Sequence, residues 1–252
     1  MQRFKGKTVI VTGAGSGIGA ATARRFHEEG ANIVLVGRTK DKLDTVAETL
    51  EHAEVVAADV GNRDDAERIA AAARDRFGGI DVLVNNAGIV AQGRLDEVAP
   101  EDWDEVIRID LTGVFLMGRA VAKDLQSRKG SIVNVSSVSG TGGDWGMMAY
   151  NAAKGGVTNM TRAMALDAKR TGVRVNAVCP SMTATDMTSG LRDNPELLET
   201  FEGRIPLGRA AEPEEVAGVI AFLASQDARF VNGVNLAVDG GLSASNGQPD
   251  MA

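Results

Sequence analysis

The chain has 252 residues, of which 44% are hydrophobic, and a formal net charge of −7. That is enough apolar material for a large core, and the length suits one α/β domain of roughly 200–250 residues. The acidic balance and the lack of any basic run argue against nucleic acid as a partner, and a lone cysteine, Cys179, excludes an intrachain disulfide and fits a reducing compartment.

The first apolar stretch, Thr8 to Val11, is too short for a secretion signal and runs into a glycine cluster. No window approaches the roughly 18 apolar residues of a membrane span. The expectation is a soluble cytoplasmic protein that meets no membrane. His27 and His52 lie far apart in polar segments, so there is no metal-ligand spacing and no metal is expected.

In chain order, short β-branched runs alternate with helical patterns. The runs are TVIV (8–11), NIVLV (32–36), EVVAAD (54–59), DVLVN (81–85), SIVNV (131–135), VRVNAV (173–178) and VNLAV (234–238). They are apolar on both faces, as strands covered on both sides must be. Helical stretches such as 19–30, 40–50 and 64–78 separate them. This alternation predicts an α/β fold, a doubly wound parallel sheet with helices on both faces. Without a linker or a repeat, residues 1–252 read as a single domain, with 238–252 as a tail after the last strand.

The first strand runs into TGAGSGIG, Thr12 to Gly19, and then directly into a helix. Glycines 13, 17 and 19 permit a tight turn and let backbone approach a pyrophosphate, and the helix start offers amides and a positive dipole end. Gly13, Ser16, Gly17, Ile18 and Gly19 are therefore expected at a dinucleotide. The second strand ends at Gly37 and Arg38, with Lys40 following and no acid before Asp41. A guanidinium there suits a ribose 2′-phosphate, whereas a carboxylate would suit a free 2′-hydroxyl. NADP is favoured, and NAD stays open. Asp59 and Val60 close the third strand on the adenine side, and Asn86, Ala87 and Gly88 of NNAG border the cofactor.

Tyr150, the only tyrosine, has Lys154 four residues on, on the same helix face, and Ser137 thirteen residues before it. An ammonium one turn away can lower the phenol pKa, so that the phenol exchanges a proton with a substrate oxygen near neutral pH. A serine hydroxyl can hydrogen-bond the same oxygen.

Taken together, TGAGSGIG, NNAG, Ser137 with YNAAK, CPSMTATDM (179–187) and VDGG (238–241) stand in the order and spacing of the short-chain dehydrogenase/reductase family, which the chain resembles over essentially its whole length. The resemblance implies a Rossmann-like fold and reversible hydride transfer between nicotinamide and a carbinol or carbonyl carbon. Tyr150 would be the acid in reduction and the base in oxidation, Lys154 would also hold the nicotinamide ribose, and Ser137 would orient the substrate. Pro180, Thr183 and Thr185 would border the nicotinamide, and the assembly would be a homotetramer. Two positions depart from the pattern. Asp110 of RIDLTG stands where the family usually has an asparagine that completes a proton relay, and Ser181 stands where glycine is common. The relay water is thought to bind that residue's backbone carbonyl, so Asp110 could still serve. Within the family, GGDWG, TRAMALD, GRAAEPEEVA and ASNGQP are similar to meso-2,3-butanediol dehydrogenases and their small-alcohol relatives, which commonly use NAD.

The expected activity is thus a small secondary alcohol or ketone oxidoreductase, with a vicinal diol or hydroxyketone favoured. A 3-oxoacyl thioester reductase and a non-enzymatic dinucleotide-binding regulator are the alternatives. Residues 181–204 follow the sixth strand at the C-terminal edge of the sheet, where ligands bind in such folds, and read as a substrate lid. Met182, Met187 and Leu191 are expected to face the nicotinamide. Trp145, with Asp144, is expected near the pocket, either narrowing it for short substrates or serving as a structural plug.

Overall fold

The computed structural model describes residues 2–247. Seven parallel strands form one sheet: β1 Thr8–Thr12, β2 Asn32–Gly37, β3 Ala53–Ala57, β4 Val82–Asn85, β5 Ser131–Val135, β6 Arg174–Pro180 and β7 Asn235–Val238. Their spatial order is β3-β2-β1-β4-β5-β6-β7. The chain therefore winds outward from β1 in one direction and then, from β4 on, in the other. The switch between β1 and β4 opens a crevice at the carboxyl ends of the strands, where ligands bind in such sheets.

Alternation along each strand divides the core into two layers. Val9 and Val11 of β1 face one layer with Phe26, Leu43, Val216 and Ile220. Those residues belong to α1 (Gly17–Glu28), α2 (Lys40–Ala47) and α9 (Pro213–Ala224). Ile10 faces the other layer with Ile69, Met117 and Ala165, contributed by α3 (Arg63–Phe77), α5 (Gly113–Arg128) and α6 (Met148–Asp167). A small third cluster, Val106 with Ala149 and Ala153, packs α4 (Pro100–Ile107) on α6. Short helices α7 (Ser189–Arg192) and α8 (Pro195–Glu202) follow β6.

The seven sequence-predicted strands all form, and the differences lie at element ends. Helix α1 begins at Gly17, not 19, with Ser16 as its N-cap in an extended conformation. Helix α3 stops at Phe77, where Gly78 supplies a left-handed cap at φ 77°. Strand β3 ends at Ala57, two residues before Asp59, because Asp59 is drawn into a turn by the Gly61 N–H on its own carboxylate. The stretch expected as a tail begins as an ordered turn. The Asp239 carboxylate accepts N–H groups of Gly241 and Ser243, and Gly240 O accepts from Leu207 N. The last five residues of that stretch, 248–252, lie outside the described residues.

Candidate active site

The dinucleotide end is built on Thr12. Its hydroxyl donates to Val84 O at 3.3 Å and accepts the N–H groups of Asn86 and Ala87 at 2.9 and 3.0 Å. Asn86 Nδ2 returns bonds to the carbonyls of Thr12 and Gly13 at 2.9 and 3.2 Å. The NNAG turn is thereby fastened to the glycine loop. A Cβ at Gly13 would lie 2.8 Å from Asn86 Nδ2, and one at Gly19 would lie 2.1 Å from Gly13 O. The loop closes this tightly only because those side chains are missing. Ser16 makes no side-chain cap to α1, so the first-turn amides stay open to an anion. Ile18 turns inward against the core.

A cleft of about 230 Å³ runs from Gly13 and Ser16 past Arg38, Asp59 and Val60 to Ala87 and Gly88. Uncapped helix amides, a glycine cradle and a polar far end fit a dinucleotide. A second cleft of about 390 Å³ lies on the outer side of Gly15 to Gly17, between α1, α2 and residues 184–186, with Thr185 on its wall.

At the far end the charges are paired. Arg108 holds Asp59 at 2.9 Å and Glu105 at 2.7 Å, and Arg38 stands 3.9 Å from the other Glu105 oxygen. The Arg108 hydrogen bond holds the Glu105 carboxyl below its ordinary range. Partial burial pushes Asp59 upward, but Arg108 and the Gly61 N–H outweigh it, leaving Asp59 below its ordinary value as well.

The catalytic candidates lie past β5. The chain leaves Val135 through Ser136 and Ser137 into a 3₁₀ turn over Val138–Gly140. Ser137 Oγ accepts from Ser139 N at 3.1 Å and lies 3.0 Å from Ser139 Oγ and 3.5 Å from Pro180 O. This turn is fixed to α6 by Ser136 Oγ to Lys154 O, Asn151 Nδ2 to Ser139 O and Thr158 Oγ1 to Gly140 O. Helix α6 carries Tyr150 and Lys154 on one face, with Lys154 Nζ 5.4 Å from the Tyr150 ring centroid.

Lys154 is buried and donates to Val135 O at 3.1 Å. Its ammonium is 3.2 Å from Asp110 Oδ2. Asp110 sits in a π-helical turn, Arg108–Thr112, between α4 and α5, and its Oδ1 accepts from Ile89 N at 2.8 Å. Burial pushes the Asp110 carboxyl above its ordinary value, against the pull of Lys154. Burial is the largest effect on Lys154 and pushes it down, but the Asp110 charge and hydrogen bond, together with Tyr150, more than restore it, so the ammonium is held charged. Gly88 makes room for the pair, since a Cβ there would lie 2.7 Å from Asp110 Oδ2.

A family model described as enoyl-(acyl carrier protein) reductase matches residues 13–243. The meso-2,3-butanediol dehydrogenase of Serratia marcescens is 49% identical over 99% of both chains. The chain belongs to the short-chain dehydrogenase/reductase family. A 3-oxoacyl-(acyl-carrier-protein) reductase FabG of Thermotoga maritima is 42% identical, over 95% of this chain and 99% of its own length. A crystal structure titled as a putative gluconate dehydrogenase from Agrobacterium tumefaciens superposes with a TM-score of 0.92 at 34% identity, covering 96% of this chain and 98% of that one. Members of this family are nicotinamide-dependent oxidoreductases, and the Rossmann-like sheet described above is theirs.

Against the expectations for the pocket, Trp145 stands fully exposed. Gly146, at φ +67°, turns the loop there, and its carbonyl is tied to Gly93 N, which throws residue 145 outward. In this structure the indole neither narrows a cavity nor plugs one. Met187 is also exposed, whereas Met182 and Leu191 are half-buried and Thr183 is buried.

Sequence reasoning passed over several supporting residues of this family site. Asn134 joins Asn85 at 2.9 Å to Thr161 at 2.9 Å, a buried polar chain from β4 through β5 to α6. The signal was an asparagine inside the apolar run SIVNV. Asn151 was visible in YNAAK. Glu105 and Arg108 gave no signal, because their partners lie in other parts of the chain.

Proposed function

We propose that this protein oxidises small secondary alcohols and reduces the matching ketones, with a vicinal diol or hydroxyketone as substrate, through one dinucleotide-binding and catalytic domain. The observation that carries the chemistry is the Ser137 turn and the Tyr150–Lys154 face fixed to one another over the crevice. A nicotinamide dinucleotide held in the cleft would supply or accept the hydride. Tyr150 Oη gives a proton to the carbonyl oxygen in reduction and removes it from the alcohol in oxidation. The Lys154 ammonium, held charged by Asp110, presents a positive charge to the phenolate formed when that proton leaves. Ser137 Oγ donates to the substrate oxygen by giving up its contact with Ser139 Oγ or Pro180 O.

Gly13, Ser16, Gly17, Ile18 and Gly19 would hold the pyrophosphate, Asp59 and Val60 the adenine end, and Asn86 to Gly88 with Pro180, Thr183 and Thr185 the remainder. Arg38 supports NADP, and NAD remains the second reading because Glu105 stands against that guanidinium. Residues 181–204 act as the substrate lid, with Met182 half-buried within it. The 49% identity to a butanediol dehydrogenase supports the small substrate. The 42% identity to a 3-oxoacyl-(acyl-carrier-protein) reductase keeps acyl thioester reduction as the alternative. A cytoplasmic homotetramer completes the reading. It is supported by Phe115 of α5, Leu166 of α6 and Phe230, all large apolar side chains left exposed, and by the free, buried Cys179.

The test is nicotinamide absorbance with acetoin-sized hydroxyketones and diols, a steroid ketone and a long 3-oxoacyl thioester. The highest kcat/KM is expected for the small compounds. A clear preference for the thioester or the steroid contradicts the small-substrate reading.

A further inference from the structure

Besides Arg108, three basic side chains stand at or near the adenine end of the cleft, and each already has a carboxylate partner. Lys40 is bound by Asp44 at 2.7 Å, Lys42 by Asp186 at 3.2 Å and Arg38 by Glu105 at 3.9 Å. The Arg38 contact is the loosest of the three. Glu105 does not depend on it for its position, because Arg108 grips both Glu105 oxygens, at 2.7 and 2.8 Å. Arg108 in turn is anchored on Asp59 at 2.9 Å. The carboxylate is thus held in place by one arginine and offered to the other. Arg38 and Arg108 with Glu105 and Asp59 make two cations and two anions, so this end of the cleft is close to neutral despite its arginines.

We propose that Glu105 is a specificity-determining residue, weakening discrimination in favour of NADP by holding a fixed negative charge against the guanidinium that would take the ribose 2′-phosphate. The inference rests on the Arg38 reading given above. An incoming 2′-phosphate must share Arg38 with Glu105 and faces a like charge beside it. A free 2′-hydroxyl meets no such repulsion. Arg38 and Glu105 are both partly exposed, so solvent and salt reduce the effect without abolishing it.

Dissociation constants for NAD and NADP, measured by calorimetric titration of the purified protein, test this with two variants. Glu105→Gln keeps an amide oxygen for Arg108 and removes the charge. It is expected to strengthen NADP binding about fivefold relative to NAD, and the gain is expected to shrink as salt is raised. Arg38→Gln is expected to lose most of whatever preference the wild type has for NADP. If Arg38→Gln changes the NADP to NAD ratio and Glu105→Gln does not, Glu105 has no such role and the inference is overturned. If Arg38→Gln itself leaves the ratio unchanged, Arg38 does not read the phosphate and the underlying cofactor reading fails with it.

Discussion

At the scale of single residues, the Asp110–Lys154 pair is the buried ion pair of the candidate site. Two opposite charges lie 3.2 Å apart, both shut off from solvent. Removing one partner of such a pair strands the other, at about 3–5 kcal/mol. Asp110→Asn is therefore expected to lower the melting temperature. The amide oxygen still accepts from Ile89 N, so the π-turn survives. Lys154 loses the carboxylate that helps to raise its pKa, so the ammonium beside Tyr150 is held charged less firmly. The alkaline side of the pH profile for alcohol oxidation should then fall away at lower pH, with maximal kcat within about tenfold of wild type. A loss of about 10²-fold at every pH would mean that the carboxylate itself takes part in proton transfer. Tyr150 and Lys154 were readable as a pair because i, i+4 spacing is a property of the helix alone. The partner of Lys154 was not, since it comes from a turn forty-four residues earlier and is set by packing.

Elements carry the cofactor site. The strands were legible because the inner ones are covered on both faces and their runs are largely apolar. The glycine loop was legible because strand, glycines and helix are contiguous. Helix ends were less so: whether Gly17 belongs to the loop or to α1 depends on a backbone angle that no spacing reveals. The exposed loop bearing Trp145 misled for a related reason, because a bulky apolar residue invites a buried reading and only the turn at Gly146 decides otherwise. The loop's demands are testable at Gly19, where a Cβ would lie 2.1 Å from Gly13 O. Backbone must shift to admit it. Gly19→Ala is expected to weaken dinucleotide binding by at least about tenfold, while far-ultraviolet circular dichroism stays close to wild type. Unaltered affinity would show that the loop does not form the cofactor cradle.

For the whole molecule, one contribution to acid stability comes from an anchor far from the crevice. Glu29, at the end of α1, is nearly buried and takes hydrogen bonds from Arg3 at 2.5 and 2.6 Å and from Arg25 at 2.6 Å. The Arg3 hydrogen bond, ahead of a smaller opposing effect of burial, leaves the Glu29 carboxyl below its ordinary 4.5. A depressed carboxyl pKa adds stability that is complete above the unfolded value and is lost as pH falls through the folded one. Urea unfolding should therefore show stability declining below about pH 4.5. Glu29→Gln should remove about 2 kcal/mol at neutral pH and flatten that acid decline. An acid limb equally steep in the variant would place the protonating group elsewhere.

The account turns on Tyr150 as the group that exchanges the substrate proton, and one measurement addresses it most directly. Steady-state turnover of the best small hydroxyketone by Tyr150→Phe should be compared with wild type, with dinucleotide affinity determined on the same preparation. The phenylalanine keeps the ring and loses only the hydroxyl. The expected result is a fall in kcat of about 10²–10⁴-fold with the cofactor dissociation constant changed by less than about threefold. Retention of more than about a tenth of the wild-type rate would show that some other group carries the proton.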